Sequence, residues 1–442
     1  MSFPVLDEHP RKATDAATLR LFRARTAAWA SLDDVQALRD RAYEIRMRAI
    51  DDLDAHLGQF VTALEAAGGK AHLCATAEEA RATVARLCSG ASLAAKSKSM
   101  LSEEIELNGA LAAAGVEVVE TDLGEYILQL AGEHPVHIIA PAIEKTKEDV
   151  ARLLSAVEGV AIEPQLEALA QAARRQLQRV FQQADVGITG ANFAVCETGS
   201  ICLVTNEGNG GLVTSLPRMH IALLGVERLV PTLDDLSVLL QLLARSGTGQ
   251  TLTTYTRLLT GPRHADEEDG PEELHVVVVD NGRKRIRDSR YKEMLACIRC
   301  GACLNVCPIY RQSGGAAYGT VYSGPMGAVL VPLLRGLERE PGLPHASSLC
   351  GACTAACPVK IPLHELLLEL RRDLVGERIA PRAERFAFTV WSLLWSRPPL
   401  YRLSTRFVRF GSRFAALAGP GRVWAAGRAL PQPARRRYRD MR

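Results

Sequence analysis

The sequence predicts a mixed α/β protein: helices first, then an α/β domain, then a helical module rich in cysteine. Three observations carry that expectation. Residues 13–66 are free of proline, and apolar positions such as Leu38, Ala42, Ile45 and Ala49 recur at helical spacing. From about Ala71 to Asn281-Gly282, short strand-like stretches alternate with helix-length segments. Beyond that turn, seven of the eleven cysteines crowd into two short runs.

The segment Ser31-Leu-Asp-Asp34 offers an N-cap that divides the first helical run in two. In the α/β region, strands are expected at 116–120 and 136–140 and helices at 102–114 and 122–131. Further strands are expected at 185–189, 201–205, 212–215, 221–224 and 274–279, with Asn281-Gly282 as the closing turn. The basic stretch from Arg283 to Arg290 reads as a linker into the cysteine module. After the second cysteine run, Pro358 to Pro362 leads into a helix rich in Leu and Glu at 363–374. The resulting segments are 1–68, 69–282, 283–375 and 376–442.

The first run is Cys297, Cys300, Cys303 and Cys307, followed by Pro308. This C-x2-C-x2-C-x3-C-P order is the bacterial iron–sulfur spacing. Two-residue gaps let one loop wrap three thiolates around a cubane, and the proline turns the fourth cysteine toward another cluster. The second run, Cys350, Cys353 and Cys357 before Pro358, is one cysteine short, with Ser347 at the missing position. The crossed rule gives cluster one to Cys297, Cys300, Cys303 and Cys357, and cluster two to Cys307, Cys350 and Cys353. The fourth iron of cluster two has four options: an oxygen of Ser347 or Ser348, water, a partner's ligand, or absence. The expected cofactors are therefore two iron–sulfur clusters of the [4Fe-4S] type, the second open to a [3Fe-4S] form. The 42 residues from Pro308 to Leu349 exceed the spacer of a minimal bacterial ferredoxin and point to a helical two-cluster module.

Other uses of the cysteines fit less well. Secreted disulfides would call for a signal segment and an even count, and the chain opens without the first and has eleven cysteines. Structural zinc favours ligand pairs separated by a longer spacer. Cys74, Cys88, Cys196 and Cys202 lie in apolar stretches and are expected to be buried small residues.

The length suits two or three domains, and 47% apolar residues suffice for a sizeable core. The net charge of +3 hides an asymmetry. From Arg371 to Arg442, 17 arginines stand against four acids, which gives this tail +13 and leaves −10 elsewhere. Its longest apolar stretch, 386–395, is half the length a membrane span needs, so a cytoplasmic protein is expected. The tail reads as a solvated extension, or as a docking surface for a partner or an anionic membrane face. Interleaved Trp391, Trp395, Tyr401, Phe407 and Phe410 suit the second reading and a peripheral position at the inner membrane face. No nucleic-acid-binding fold accompanies the charge, so nucleic acid is not an expected partner.

In the middle domain, residues 189–211 are dense in Gly, Asn, Thr and Glu. Glu197 is placed at a turn, where a carboxylate can serve as nucleophile or base. The run Asn206 to Gly211 also reads as a hairpin loop. Lys96-Ser-Lys-Ser-Met100 could present cations to an anion at a helix start, with ordinary capping by Ser102 as the simpler reading. Gly247-Thr-Gly249 is a weak phosphate-loop echo. His137, His220, His275 and His345 lack metal-ligand spacing and are expected to be structural or surface residues.

Several stretches together resemble the lactate utilization protein B family, an iron–sulfur protein with an LUD domain. They are Lys96 to Met100, Glu120 to Glu125, Ala140-Pro-Ala142, Glu197 to Ser200, Val204 to Asn209, Asp269 to Glu273, Asp280 to Gly282 and both cysteine runs, including Ser347-Ser-Leu-Cys350. The resemblance covers about residues 13–375. It implies that the middle domain is similar to the NagB/RpiA/CoA-transferase-like fold. It also implies that the chain is an electron-transfer subunit among the other subunits of a complex that oxidises L-lactate to pyruvate, without catalytic residues of its own. The acceptor is left open. The alternatives are the same role for another 2-hydroxy acid, or a CoA-transferase-like enzyme using Glu197.

Overall fold

The computed structural model describes residues 4–411, and the chain divides into two units between Arg372 and Asp373. The first unit opens with helices Glu8–Ala30, Val35–Asp51 and Leu53–Ala66. The expected break is present: the Asp34 side chain accepts from Ala37 N at 2.9 Å and starts the second helix. The third helix lays Leu57, Phe60 and Leu64 on a β-sheet.

Ten strands follow: β1 (Lys70–Cys74), β2 (Leu93–Lys96), β3 (Glu117–Glu120), β4 (Val186–Gly190), β5 (Phe193–Val195), β6 (Ser200–Thr205), β7 (Met219–Gly225), β8 (Leu229–Val230), β9 (Tyr255–Leu259) and β10 (Glu273–Val279). Six of them make a parallel sheet in the order β1-β10-β7-β4-β2-β3. The other four make a second sheet, β8-β5-β6-β9, with β6 antiparallel to both neighbours. The apolar runs of β7 and β10 are buried on both faces, as a central parallel strand requires. Ile221, Leu223, Val277 and Val279 face one core with Val84 and Leu111. Ala222, Leu224, Val276 and Val278 face the other, with Phe60 and with Ile201 of the second sheet.

Local expectations fail where a side chain or the topology overrides propensity. Residues 136–140 are irregular, because the buried His137 Nδ1 accepts from the amides of Ile139 and Ala140, each at 3.2 Å. Those amides are then unavailable to a strand ladder. Residues 212–215 belong to helix Asn209–Ser215, so the stretch 206–211 is no hairpin; the chain there returns from the small sheet to the large one. The expected helix 102–114 is two helices, Met100–Glu104 and Leu107–Ala113, separated by Glu106 at φ +54°. The cap of the first is Ser99, which accepts from Ser102 N at 3.1 Å, not Ser102. The basic stretch after Gly282 is no free linker. It starts helix Arg283–Arg287, and Arg283 is fully buried between Glu104 and Glu227.

From residue 283 to Arg372 the described chain is helix and loop, with no strand. Its main helices are Ala302–Asn305, Pro308–Ser313, Gly324–Arg335, Ala352–Ala356 and Leu363–Gly376, the last extending into the second unit.

The second unit contains helices Arg382–Ser396 and Pro398–Gly411. Trp391, Trp395 and Tyr401 form an aromatic ladder with ring centroids 5.5 and 5.3 Å apart. No residue of Arg382–Ser396 is buried. Among the described residues, no helix is long and apolar enough to cross a membrane. The side chains of Phe407 and Phe410, and the arginines after Gly411, lie outside the described residues.

Candidate functional site

The two cysteine loops match position for position at an offset of 50 residues. Arg299 and Leu349 have φ of 59° and 54°, and Gly301 and Gly351 have φ of 76° and 79°. Glycine adopts this region at no steric cost, whereas Arg and Leu do so only where the surrounding loop dictates it. The thiols then receive main-chain N–H groups. Cys297 Sγ accepts from Arg299 N at 3.4 Å, Cys307 Sγ from Tyr310 N at 3.5 Å and Cys357 Sγ from Ile361 N at 3.4 Å. For Cys307 and Cys357 these bonds favour the thiolate form. At the missing cysteine, Ser347 Oγ accepts from Leu349 N at 3.1 Å, the same bond Cys297 makes in the first loop.

Cys297, Cys300, Cys303 and Cys357 line one cavity, walled by Ile298, Met326 and Val359. Burial pushes the Cys300 thiol up to about 12, and the Cys303 and Cys357 thiols rise for the same reason. Cys307, Cys350 and Cys353 form the neighbouring group. Burial, then the charges of Cys307 and Cys350, push Cys353 up to about 11. Cys350 is exposed, and donors from Ala352 N–H and the Ser348 hydroxyl lower its thiol pKa. Among the described residues, no three His, Cys, Asp or Glu side chains converge as they would on a single ion. Soft thiolate donors with N–H partners, set around an apolar cavity, fit an iron–sulfur cluster. Cys74, Cys88, Cys196 and Cys202 are buried in the α/β domain.

The N-terminal helices and the turn between β7 and β8 contribute a shell that motif spacing does not reveal. Arg39 donates to Cys357 O at 2.7 and 3.1 Å, Arg25 to Ala356 O at 3.1 Å and Arg228 to Cys297 O at 3.0 Å. Arg46, fully buried, donates to Leu229 O at 2.8 Å and to Glu227 O. One sequence signal existed: Arg39 and Arg46 share the buried face of Ala42, Ile45 and Ala49. Glu227 balances the positive charge, ion-paired with Arg283 at 2.7 Å and with Arg299 at 3.3 Å. Burial alone would raise its carboxyl pKa; Arg283, Arg228 and Arg299 outweigh that and bring it to about 2.

The other candidates are dispersed. Glu197 is exposed at the β5–β6 turn, accepts from Leu233 N at 2.6 Å and does not line either cavity. Lys96 turns inward onto Glu120 at 2.5 Å and Glu103 at 3.2 Å, while Lys98 lines a large cavity of the α/β domain. Gly247 closes a helix and packs against Cys300 O, where a Cβ would come within 2.8 Å, so the Gly247-Thr-Gly249 echo marks a packing contact. His137 and His220 are buried and hydrogen-bonded to Asn305 and Thr189, and His275 stacks on His72. His345 is exposed.

Comparison with known proteins adds three family matches: an LUD domain over residues 57–279, a 4Fe-4S dicluster domain over 293–361 and a lactate utilisation protein B C-terminal domain over 373–442. A lactate utilization protein B from Shouchella clausii is 46% identical over 98% of this chain and 94% of its own. One from Bacillus thuringiensis is 44% identical over 99% of this chain and 94% of its own. A crystal structure of a duf162 family protein from Deinococcus radiodurans overlaps 51% of this chain and 98% of its own, at 16% identity and a TM-score of 0.30. The chain thus carries 4Fe-4S iron–sulfur clusters in its cysteine module.

Proposed function

Because the chain belongs to the lactate utilization protein B family, we propose that it is the iron–sulfur electron-transfer subunit of a complex that oxidises L-lactate to pyruvate. It relays electrons between partner subunits and an acceptor. The observation that carries this reading is the cavity lined by three cysteines of the first run and one of the second. Cys297, Cys300, Cys303 and Cys357 would hold cluster one, and Cys307, Cys350 and Cys353 cluster two. Each cluster supplies a site that accepts and releases one electron at a time. The protein holds the thiols, satisfies their lone pairs with N–H donors and surrounds them with arginine. Beyond burial, the charge of Cys353 helps raise the Cys303 thiol, which supports neighbouring clusters. Ser347 Oγ is the favoured fourth ligand of cluster two, since it makes the bond that Cys297 makes in the first loop.

The test is lactate-driven cluster reduction in the complex reassembled with its partner subunits, followed by electron paramagnetic resonance. L-lactate should reduce the clusters, and Glu197→Gln should leave the rate unchanged. Reduction by glycolate but not L-lactate would move the role to another 2-hydroxy acid. Loss of reduction in Glu197→Gln would favour an enzyme using that carboxylate.

The second unit exposes Phe386, Phe388, Trp391 and Trp395 beside arginines. Peripheral contact with the anionic inner face of the membrane, from a cytoplasmic position, is the reading this composition supports. Salt-sensitive flotation with anionic liposomes tests it.

A further inference from the structure

A cavity of about 290 Å³ opens at the carboxyl ends of β2 and β4. From β2 the chain steps outward to β3, whereas from β4 it steps the other way, to β7 and β10. A reversal of this kind opens a crevice in a parallel sheet. One end of the cavity is formed by Arg299 and Cys300 of the first cysteine run. Ligation of the clusters does not account for the rest of it.

The unexplained group is Lys98. Its Nζ is buried without a hydrogen-bond partner. The nearest carboxylate oxygen, Glu125 Oε1, stands at 3.7 Å, beyond hydrogen-bond range. Burial weakens this ion pair from both sides, pushing the Glu125 carboxyl up to about 7 and lowering the pKa of Lys98. Two other acids act on Lys98 through their charge but accept their hydrogen bonds from other donors. Asp122 accepts from Lys98 N at 2.6 Å and Ser97 Oγ at 3.2 Å, and Glu207 accepts from Leu123 N at 3.1 Å. Asn192, also lining the cavity, accepts from Val204 N at 2.9 Å through Oδ1, which orients its NH2 as a donor. Ile138, Ile139, Leu203 and Leu223 supply an apolar wall. An unsatisfied ammonium, an oriented amide and an apolar wall suit a carboxylate on a short carbon body better than a bare inorganic anion.

We propose that this cavity binds a small organic acid, its carboxylate on Lys98 Nζ and the Asn192 amide and its carbon body against the isoleucines, in contact with the loop that carries Cys300. This goes beyond electron relay, since it gives the α/β domain a ligand of its own next to cluster one.

The test is calorimetric titration of the full-length, cluster-loaded protein with L-lactate, pyruvate, glycolate and inorganic phosphate. At least one carboxylate should bind saturably, with affinity reduced at least tenfold in Lys98→Met and also reduced in Asn192→Ala. The bound acid should perturb the resonance of the cluster next to Cys300. Binding of phosphate alone, no saturable binding of any carboxylate, or unchanged affinity in Lys98→Met would overturn the proposal. If Lys98→Met fails to fold, Asn192→Ala decides by the same criterion. The heat of binding reports the cavity, while the iron content of the same sample reports the clusters, so the two readings fail independently.

Discussion

The guanidinium of Arg39 donates twice to the main-chain carbonyl of Cys357, through Nε at 3.1 Å and Nη2 at 2.7 Å, across 318 residues of sequence. Arg25 stacks on Trp29 at 3.7 Å and donates to the preceding carbonyl, Ala356 O. The N-terminal helices therefore fix the loop carrying Cys357 and bring positive charge toward the site of an anionic cluster. Arg39→Met should cost roughly 1.5–3 kcal/mol, the scale of a charge-assisted hydrogen bond. It should also lower the potential of cluster one by tens of millivolts; about 59 mV is a tenfold change for a one-electron couple. Arg39→Lys keeps the charge but not the paired donors and should recover only part of each effect. A redox titration followed by paramagnetic resonance, with iron content as control, checks both variants.

Ser347 makes the second prediction. Its Oγ receives Leu349 N as Cys297 Sγ receives Arg299 N. Replacing it by cysteine should complete a four-thiolate set and leave a four-iron signal more resistant to oxidative iron loss. Ser347→Ala should convert cluster two to a three-iron form. Iron and sulfide counts with paramagnetic resonance distinguish the outcomes, and a wild-type spectrum in Ser347→Ala would exclude Ser347 as the ligand.

Lys96 carries a prediction about stability. It is 1% exposed and ion-paired to Glu120 and Glu103. Burial alone would lower its pKa, but the two carboxylates dominate and raise it. Lys96→Met leaves both carboxylates without their cation, and losses of about 3–5 kcal/mol are typical for a broken buried pair. Denaturant unfolding followed by the α/β domain's circular dichroism should show this loss.

The parts of the fold legible in sequence are those set by long-range repetition or fixed spacing. The Val-rich β10 and the apolar β7 announced a buried parallel sheet, and the iron–sulfur character of the module followed from two-residue gaps between cysteines. What was not legible depended on single long-range contacts. His137 removes two amides from a strand-like stretch, and Val213 and Thr214, good strand formers, sit in a helix that carries the chain from one sheet to the other. Arginines that donate to Cys357 O and Cys297 O look like ordinary helix or loop charges until the chain is folded. The cavity at Lys98 depends on which strands become neighbours, and local propensity carries no information about that order.

The crossing of the cysteines is tested most directly by paramagnetic resonance of reduced Cys357→Ala and Cys307→Ala, each purified without oxygen beside wild type. Wild type should hold about seven or eight iron atoms per chain, as two cubanes or one cubane and a three-iron cluster would. Cys357→Ala should extinguish the signal that Cys300→Ala extinguishes, and Cys307→Ala the one that depends on Cys353. If Cys357→Ala instead removes the Cys353-dependent signal and spares the other, each run holds its own cluster and the account is wrong.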